Sequence, residues 1–308
     1  MYSLTQTEVL QRLPQVLDNT ILSTFRTCQH KALWEFVFGL TSSTPSVHLH
    51  AGGAFSRALE TLYRNAYNGK ASEALTRAHF DFDKAWGSFQ PVGKTTKTKD
   101  RVWEAVESYA NTYHPPSDYI EPSPLFGNPF EYSFAIPLEH SAWGVDFPNH
   151  PFTNQPFLYA GRFDMVGQHS SQLRLRDDKL NTQLGPNWEA SWTLRSQFIG
   201  YVAAMQVLGY DVDTVEIRGV QPLVNSINHQ TAVKTYSRVV VRRWLEQVQR
   251  DVRELVRVAT AGDWSHNFAD ACSAYGGCPF LDLCRANDPT AYFHTFANRV
   301  WNPLDAHV

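Results

Sequence analysis

Apolar residues return at three- and four-residue intervals over residues 21–38 and again, after a Thr/Ser/Pro linker, over residues 54–67. That is the period of an amphipathic helix, so the first hundred or so residues are expected to be mostly helical. Past the proline-rich segment at residues 115–129 the pattern shortens to runs at 131–138, 157–166 and 173–179, separated by polar turns. Such runs predict strands. Helical spacing returns over 188–208, residues 212–220 and 232–241 read as strands, and 242–261 reads as a final helix. No internal repeat or low-complexity tract interrupts the series. The order of elements predicts an α/β fold with a central mixed sheet flanked by helices. It is expected as one domain over residues 1–308, with a largely helical part at about 20–115, a core at about 129–262 and a C-terminal cysteine loop at about 265–290 that closes on Cys28.

Composition narrows the function classes. A chain of 308 residues, 43% hydrophobic and 13% aromatic, can bury a sizeable core. No apolar stretch approaches the roughly 20 residues of a membrane span, so no membrane insertion is expected. A net charge of −3 and a pI near 6.4 give no global attraction to nucleic acid, and a polyanion would have to be held by local basic patches. Three runs qualify by sequence: Lys94, Lys97, Lys99 and Arg101; Arg174 and Arg176; and Arg238, Arg242 and Arg243. Each alone reads as a solvated face. Gly93-Lys94-Thr95 matches the end of a phosphate-binding loop, but the position of the required first glycine is Ser88, so that backbone cradle is missing.

The four cysteines fall as one near the start, Cys28, and three near the end, Cys272, Cys278 and Cys284. Four thiolates are what an iron–sulfur cluster or a structural zinc needs, and this layout would clip the two ends of the chain together. Disulfides are the main competing use. The first twenty residues carry Glu8, Arg12 and Asp18 and no unbroken apolar run, unlike a secretory signal, so a reducing, cytoplasmic setting is expected. Four unrelated buried thiols are the other alternative, against which Gly276, Gly277 and Pro279 between the cysteines suit chain wrapping a metal better than a buried helix. Zinc ribbons favour two close pairs, so a lone cysteine plus a triplet favours a cluster.

The candidate chemistry lies mid-chain. In Leu173-Arg-Leu-Arg-Asp177-Asp-Lys179, side chains two apart share a strand face, so Asp177 and Lys179 emerge together while Asp178 faces away. Tyr-Ala-Gly161-Arg-Phe-Asp164 ends the preceding strand with a second acid, and adjacent hairpin strands would bring Asp164 beside Asp177. Paired carboxylates are an oxygen site for magnesium or manganese, and a neighbouring lysine can orient a metal-bound water or steady charge on a phosphate. A surface salt-bridge ladder is the plainer use of the same residues. Gln197 and Tyr201 share one helix face. His50-Ala-Gly52-Gly53-Ala-Phe-Ser56-Arg-Ala-Leu-Glu60 opens a helix with two glycines, which would permit close backbone packing, and points Ser56 and Glu60 to one side. Glu60 is a third acid. Trp188, Trp192 and Tyr201 offer either core packing or stacking surfaces for unpaired bases.

Gly53 to Glu60, then Gly-Arg-Phe-Asp164, Asp177-Asp-Lys179 and Gln197-Phe-Ile-Gly-Tyr201, taken in order, resemble the motif set of the PD-(D/E)XK nuclease superfamily, RecB-type branch. One cysteine before the motifs and three after is similar to its iron–sulfur members: the AddB nuclease domain, the CRISPR-adaptation nuclease and related phage proteins. The resemblance covers about residues 20–290 and implies a restriction-endonuclease-like core with a 4Fe-4S cluster on the four cysteines. It further implies that Asp164 and Asp177, with Glu60, hold catalytic Mg2+ or Mn2+, that Lys179 is the catalytic lysine, and that Gln197 and Tyr201 support the site. The implied activity is hydrolysis of DNA phosphodiester bonds, as an exonuclease on single strands or ends, in recombination, repair or phage- or CRISPR-related processing. A helicase or recombination protein is the implied partner. Two departures stand out: Ser56 occupies a position where the family commonly has a metal-binding histidine, leaving Glu60, His50 or water to substitute, and the last three cysteines are evenly spaced rather than opening with a tight pair. The alternative is a catalytically weak or inactive nuclease fold serving as a DNA-binding or assembly module. A redox protein would need a second cofactor site, and no Gly-x-Gly-x-x-Gly fingerprint occurs.

Overall fold

A computed structural model describes residues 4–44, 46–268, 270–273 and 277–305. The chain opens with α1 (Gln6–Arg12), β1 (Val16–Leu17), α2 (Asn19–Thr27), α3 (Gln29–Ala32), a π turn (Leu33–Val37) and β2 (Leu40–Ser42). Three helices follow, α4 (Val47–Tyr67), α5 (Ala71–Trp86) and α6 (Lys99–Tyr113), then β3 (Glu121–Pro122), β4 (Phe130–Pro137), β5 (Leu158–His169) and β6 (Gln172–Leu180). The remainder is α7 (Pro186–Ala190), α8 (Ser196–Val207), β7 (Thr214–Pro222), β8 (Ile227–Thr235), α9 (Arg238–Ala261), α10 (Leu281–Arg285) and β9 (Phe296–Asn298).

Seven strands form one mixed sheet in the order β1-β5-β6-β7-β8, with β3 and β4 also paired to β5; β2 and β9 form a separate ribbon. β1–β5 and β6–β7 are parallel, whereas β5–β6 and β7–β8 are antiparallel. This is the α/β architecture with a helix-flanked central mixed sheet that the pattern implies. The β5–β6 hairpin turns through Ser170 and Ser171, both in the left-handed region at φ 50° and 65°. Two such residues in succession give the turn whose twist matches that of the flanking strands.

Compact packing gathers the described residues into two units. One comprises residues 46–133 and 162–238. Here α4, α5 and α6 interleave Ala54, Ala58, Ala78 and Ala105 with Phe55, Phe82 and Trp86, small against large, to build the main apolar cluster. The cluster extends onto the sheet through Met165 and Val220. Gly219, in β7, lies under the Trp188 ring: a Cβ there would stand 2.5 Å from Trp188 and 2.7 Å from Leu184. Gly52 and Gly53, by contrast, have nothing within 4 Å of a would-be Cβ, so the close packing expected of that glycine pair is not what they provide. The other unit comprises residues 4–44, 134–161 and 239–305. Its longest element, α9, lays a stripe of Trp244, Val248, Val252 and Leu255 inward, and Trp244 meets Tyr159 edge-on at 5.4 Å.

Three boundaries differ from the sequence reading. The helix expected at 21–38 is broken at Cys28, whose extended backbone (φ −163°, ψ 118°) ends α2 and starts α3. The segment 188–208 is two helices, because residues 191–195 turn between α7 and α8. The strand expected at 232–241 begins earlier, at Ile227, and Val239, Val240 and Val241 open α9. β8 is the last strand in the order and carries Asn228, His229, Gln230 and Thr231, so its apolar alternation is weak, while the β-branched valines mimic a strand.

Gly219→Ala should destabilise the protein by about 1–3 kcal/mol through overpacking beneath Trp188. Chemical denaturation would read this as a lower midpoint with an unchanged slope.

Candidate active site and four-cysteine cavity

β5 and β6 pair as far as Met165 opposite Arg176. Asp178 N–H then donates to Asp164 Oδ2 at 2.6 Å. The Asp164 carboxylate thus occupies the mouth of the hairpin on a backbone donor. Strand alternation divides the next residues as expected. Asp177 pairs with Lys179 (Oδ1 to Nζ, 2.5 Å), whereas Asp178 turns to Tyr109 and Arg176. Asp177 is 4% exposed and Lys179 32%, so the lysine alone reaches solvent.

Burial and like charge act together on the acids. Desolvation, then the nearby Asp177 and Glu131 carboxylates, push Asp164 well above the ordinary carboxylate range. Asp177 is also raised by burial, against the pull of Lys179. Burial alone would lower Lys179, but the carboxylates of Asp177 and Asp164 more than offset it and hold its ammonium above the usual lysine value. One lysine therefore faces two buried carboxylates, an excess of negative charge that a cation would relieve.

A small cavity beside Asp164 is lined by Ser56, Glu60, Tyr63, Glu131 and Asp178. Ser56 and Glu60 are thus brought to the site, but Glu60 is held by Arg57 at 2.7 Å and Arg64 at 2.8 Å. Glu131, on β4, was not singled out by its pattern; it adopts φ 49° and pairs with Arg162 at 2.6 Å. Gln197 donates to Tyr201 Oη at 3.0 Å, and the Tyr201 ring meets Phe163 edge-on at 4.8 Å, one residue from Asp164. Arg195, just before α8, is close enough to act electrostatically on both Asp177 and Lys179. Among the described residues no group of three or more His, Cys, Asp or Glu side chains is arranged to hold a metal ion as it stands.

Other candidates lie elsewhere or do other things. His50 contacts the Trp86 carbonyl at 3.0 Å and stacks on Phe89 at 3.9 Å, so it does not replace the missing histidine. Trp188, Trp192 and Tyr201 are buried, which makes them core and not stacking platforms. The basic run of residues 94–101 is not a solvated patch: Lys97 is 3% exposed, donates to the Leu180 carbonyl at 3.0 Å and is pushed down to about 8 by burial. Lys99 pairs with Asp83 and Arg101 with Glu104. Arg176 is also buried.

In the other unit, all four cysteines are free thiols and line one cavity with Lys31, His266 and Phe280. Hydrogen bonds tie its walls together. Ser265 and Asn267 bond Gln29 and Thr27, tying residues 265–267 to the chain around Cys28. Cys278 N–H donates to the Cys272 carbonyl, and Gly277 takes φ 111°, a left-handed conformation that favours glycine. Gly276 lies outside the described residues. Phe280 and Leu283 anchor the loop against Trp34 and Leu40. Burial, with Cys28 and Cys272 adding, raises the Cys278 thiol despite Lys31 and a backbone donor; Cys284 is raised in the same way. No helix among the described residues is long and apolar enough to cross a membrane.

The family model described as the PD-(D/E)XK nuclease superfamily matches residues 19–285. No curated protein matches. Among solved structures, that described as "Crystal structure of SSO0001" is similar over 81% of this chain and 88% of its own, with 8% identity and a TM-score of 0.26.

The raised Asp164 and Asp177 carboxyls contribute to the pH dependence of the metal-free protein. A carboxyl group whose folded pKa lies above its unfolded value contributes stability that is fully present below the unfolded pKa, about 3.9 for aspartate, and lost as pH rises through the folded one. Chelated protein should therefore lose stability as pH rises above that range. Asp164→Asn, which removes one of the two raised carboxyl groups, should flatten the loss and melt higher at neutral pH. Thermal unfolding across pH in chelator checks both, and a parallel fall in the variant would contradict the assignment.

Proposed function

This chain belongs to the PD-(D/E)XK nuclease superfamily, and on that premise we propose that it is a metal-dependent deoxyribonuclease of the RecB-type branch, acting as an exonuclease on single-stranded DNA or DNA ends. The observation that carries the reading is the buried Asp164–Asp177 pair served by a single lysine. Two hard oxygen donors with surplus negative charge fit Mg2+ or Mn2+. Asp164 and Asp177 would hold the ion, with Glu60 as a third donor only if it exchanges its arginine pairs. Bound there, the ion would lower the pKa of a water and neutralise charge building on a phosphate.

The chain's own groups supply the rest. Lys179, part exposed and kept protonated, meets the solvent-facing side of the site, where it can donate to a phosphate oxygen or position the attacking water. Gln197 and Tyr201 hold each other and brace Phe163 beside the acids. Preference for single strands or ends, for DNA over RNA, and a helicase or recombination partner rest on the branch resemblance.

A 4Fe-4S cluster on Cys28, Cys272, Cys278 and Cys284 is the second element of the proposal. Four thiols on one cavity are the right donors, and Lys31 beside them favours thiolate. The cluster would reinforce the tie between residues 27–30 and 265–267 across a very long loop. The catalytically weak alternative, a DNA-binding or assembly module, draws on Ser56 and on the arginine-clamped Glu60.

Anaerobically purified protein should cut end-labelled DNA only with Mn2+ or Mg2+, and Asp177→Ala and Lys179→Ala should each lower the rate by at least about 100-fold. A folded, metal-supplied protein that binds DNA without cutting it would favour the alternative. Cys28→Ala should lose the brown absorbance of a cluster and lower the melting temperature; unchanged colour and melting would remove the cluster from the account.

A further inference from the structure

Behind the acids lies a buried array of charge that the proposed chemistry does not use. Arg176 and Asp178 on β6 stand in register with Glu216 and Arg218 on β7. Opposite charges therefore alternate both along each strand and across the pair: Arg176 bonds Asp178 at 3.1 Å and Arg218 bonds Glu216 at 2.6 Å. All four are at most 6% exposed. Asp118 closes the array on the Arg218 guanidinium through two contacts of 2.6 and 2.8 Å. Tyr109, on α6, donates to Asp178 Oδ1 at 2.7 Å and accepts from Arg218 at 3.2 Å.

Within this array Asp178 bonds the candidate metal ligand directly, because its backbone N–H donates to Asp164 Oδ2, while Arg176 lines the cavity beside it. Its side chain is fixed on both oxygens, by the Tyr109 hydroxyl and by Arg176 Nε. An aspartate locked at both ends of its carboxylate cannot rotate its peptide freely, so the donor offered to Asp164 is held in place. We propose that Asp178 is a positioning residue for the metal site: the Tyr109–Asp178–Arg176 lock holds the peptide that aims the Asp164 carboxylate at the ion. The inference rests on the nuclease reading and deepens it. Outer partners that orient a metal-ligating group change affinity by roughly 10–100-fold when removed.

The test is Mn2+ binding by calorimetry on the full chain, with no DNA present. Tyr109→Phe deletes one hydroxyl and keeps the ring in the core, so it should fold; Asp178→Asn keeps the shape but leaves Arg176 less well paired. Each should weaken Mn2+ binding about tenfold, and DNA cleavage lost at low Mn2+ should recover at high Mn2+. Tyr119→Phe is the control. It removes a hydroxyl from the far end of the array, where the more exposed Tyr119 bonds Glu216 at 2.5 Å, and should change Mn2+ affinity less than twofold. Tyr109→Phe that folds and binds Mn2+ like the parent overturns the proposal, and so does Tyr119→Phe weakening it equally. A parent protein that binds no Mn2+ at all instead removes the nuclease reading on which the proposal stands, a result distinct from either.

Discussion

The sheet of this protein is organised around charges taken out of water. Arg176, Asp178, Glu216, Arg218 and Asp118 are buried together between β6, β7 and the helices that carry Tyr63 and Tyr109. Removing one partner from such a set leaves an uncompensated buried charge and costs about 3–5 kcal/mol. The array is therefore satisfied in one register only, Arg176 against Glu216 and Asp178 against Arg218. A slip of one residue would turn every charge to the opposite face. Guanidinium planes lying on tyrosine rings, Arg176 over Tyr63 at 3.9 Å and Arg218 over Tyr113 at 4.1 Å, fix the orientation further.

That constraint determines where the acids stand. With β6 fixed by its inner residues, Asp177 and Lys179 project from the other face and Asp164 meets the Asp178 peptide at the mouth of the hairpin. On the inner face every acid meets a guanidinium. On the outer one Lys179 pairs with Asp177 alone, and Asp164 rests on a backbone donor, a difference between the two faces of one strand. The cysteine cavity follows a different logic: backbone and amide contacts around Gln29 and Ser265 already bring the loop to Cys28.

The period-two reading of residues 173–179 was enough to separate Asp177 and Lys179 from Asp178, and the hairpin brought Asp164 to them, because strand alternation is local and needs no tertiary knowledge. Other features depended on distant chain. Asp118 sits in a loop whose sequence carries no sign that two arginines from β6 and β7 await it. Lys97 looked like part of a basic patch, yet burial and the Leu180 carbonyl make it structural. Glu131 is legible only as a polar residue in an apolar run, and nothing in that run marks the left-handed backbone it adopts. The break at Cys28 escaped the helical period because cysteine packs as an ordinary small apolar residue.

The central claim is that the Asp164–Asp177 pair is built to hold a divalent cation. Anomalous diffraction from crystals grown with Mn2+ tests it most directly. The account requires a peak within about 2.1 Å of an oxygen of both carboxylates, with Lys179 swung from Asp177 toward solvent or phosphate. A well-ordered site with no peak there, or one in which Lys179 stays paired and the ion sits elsewhere, would contradict it.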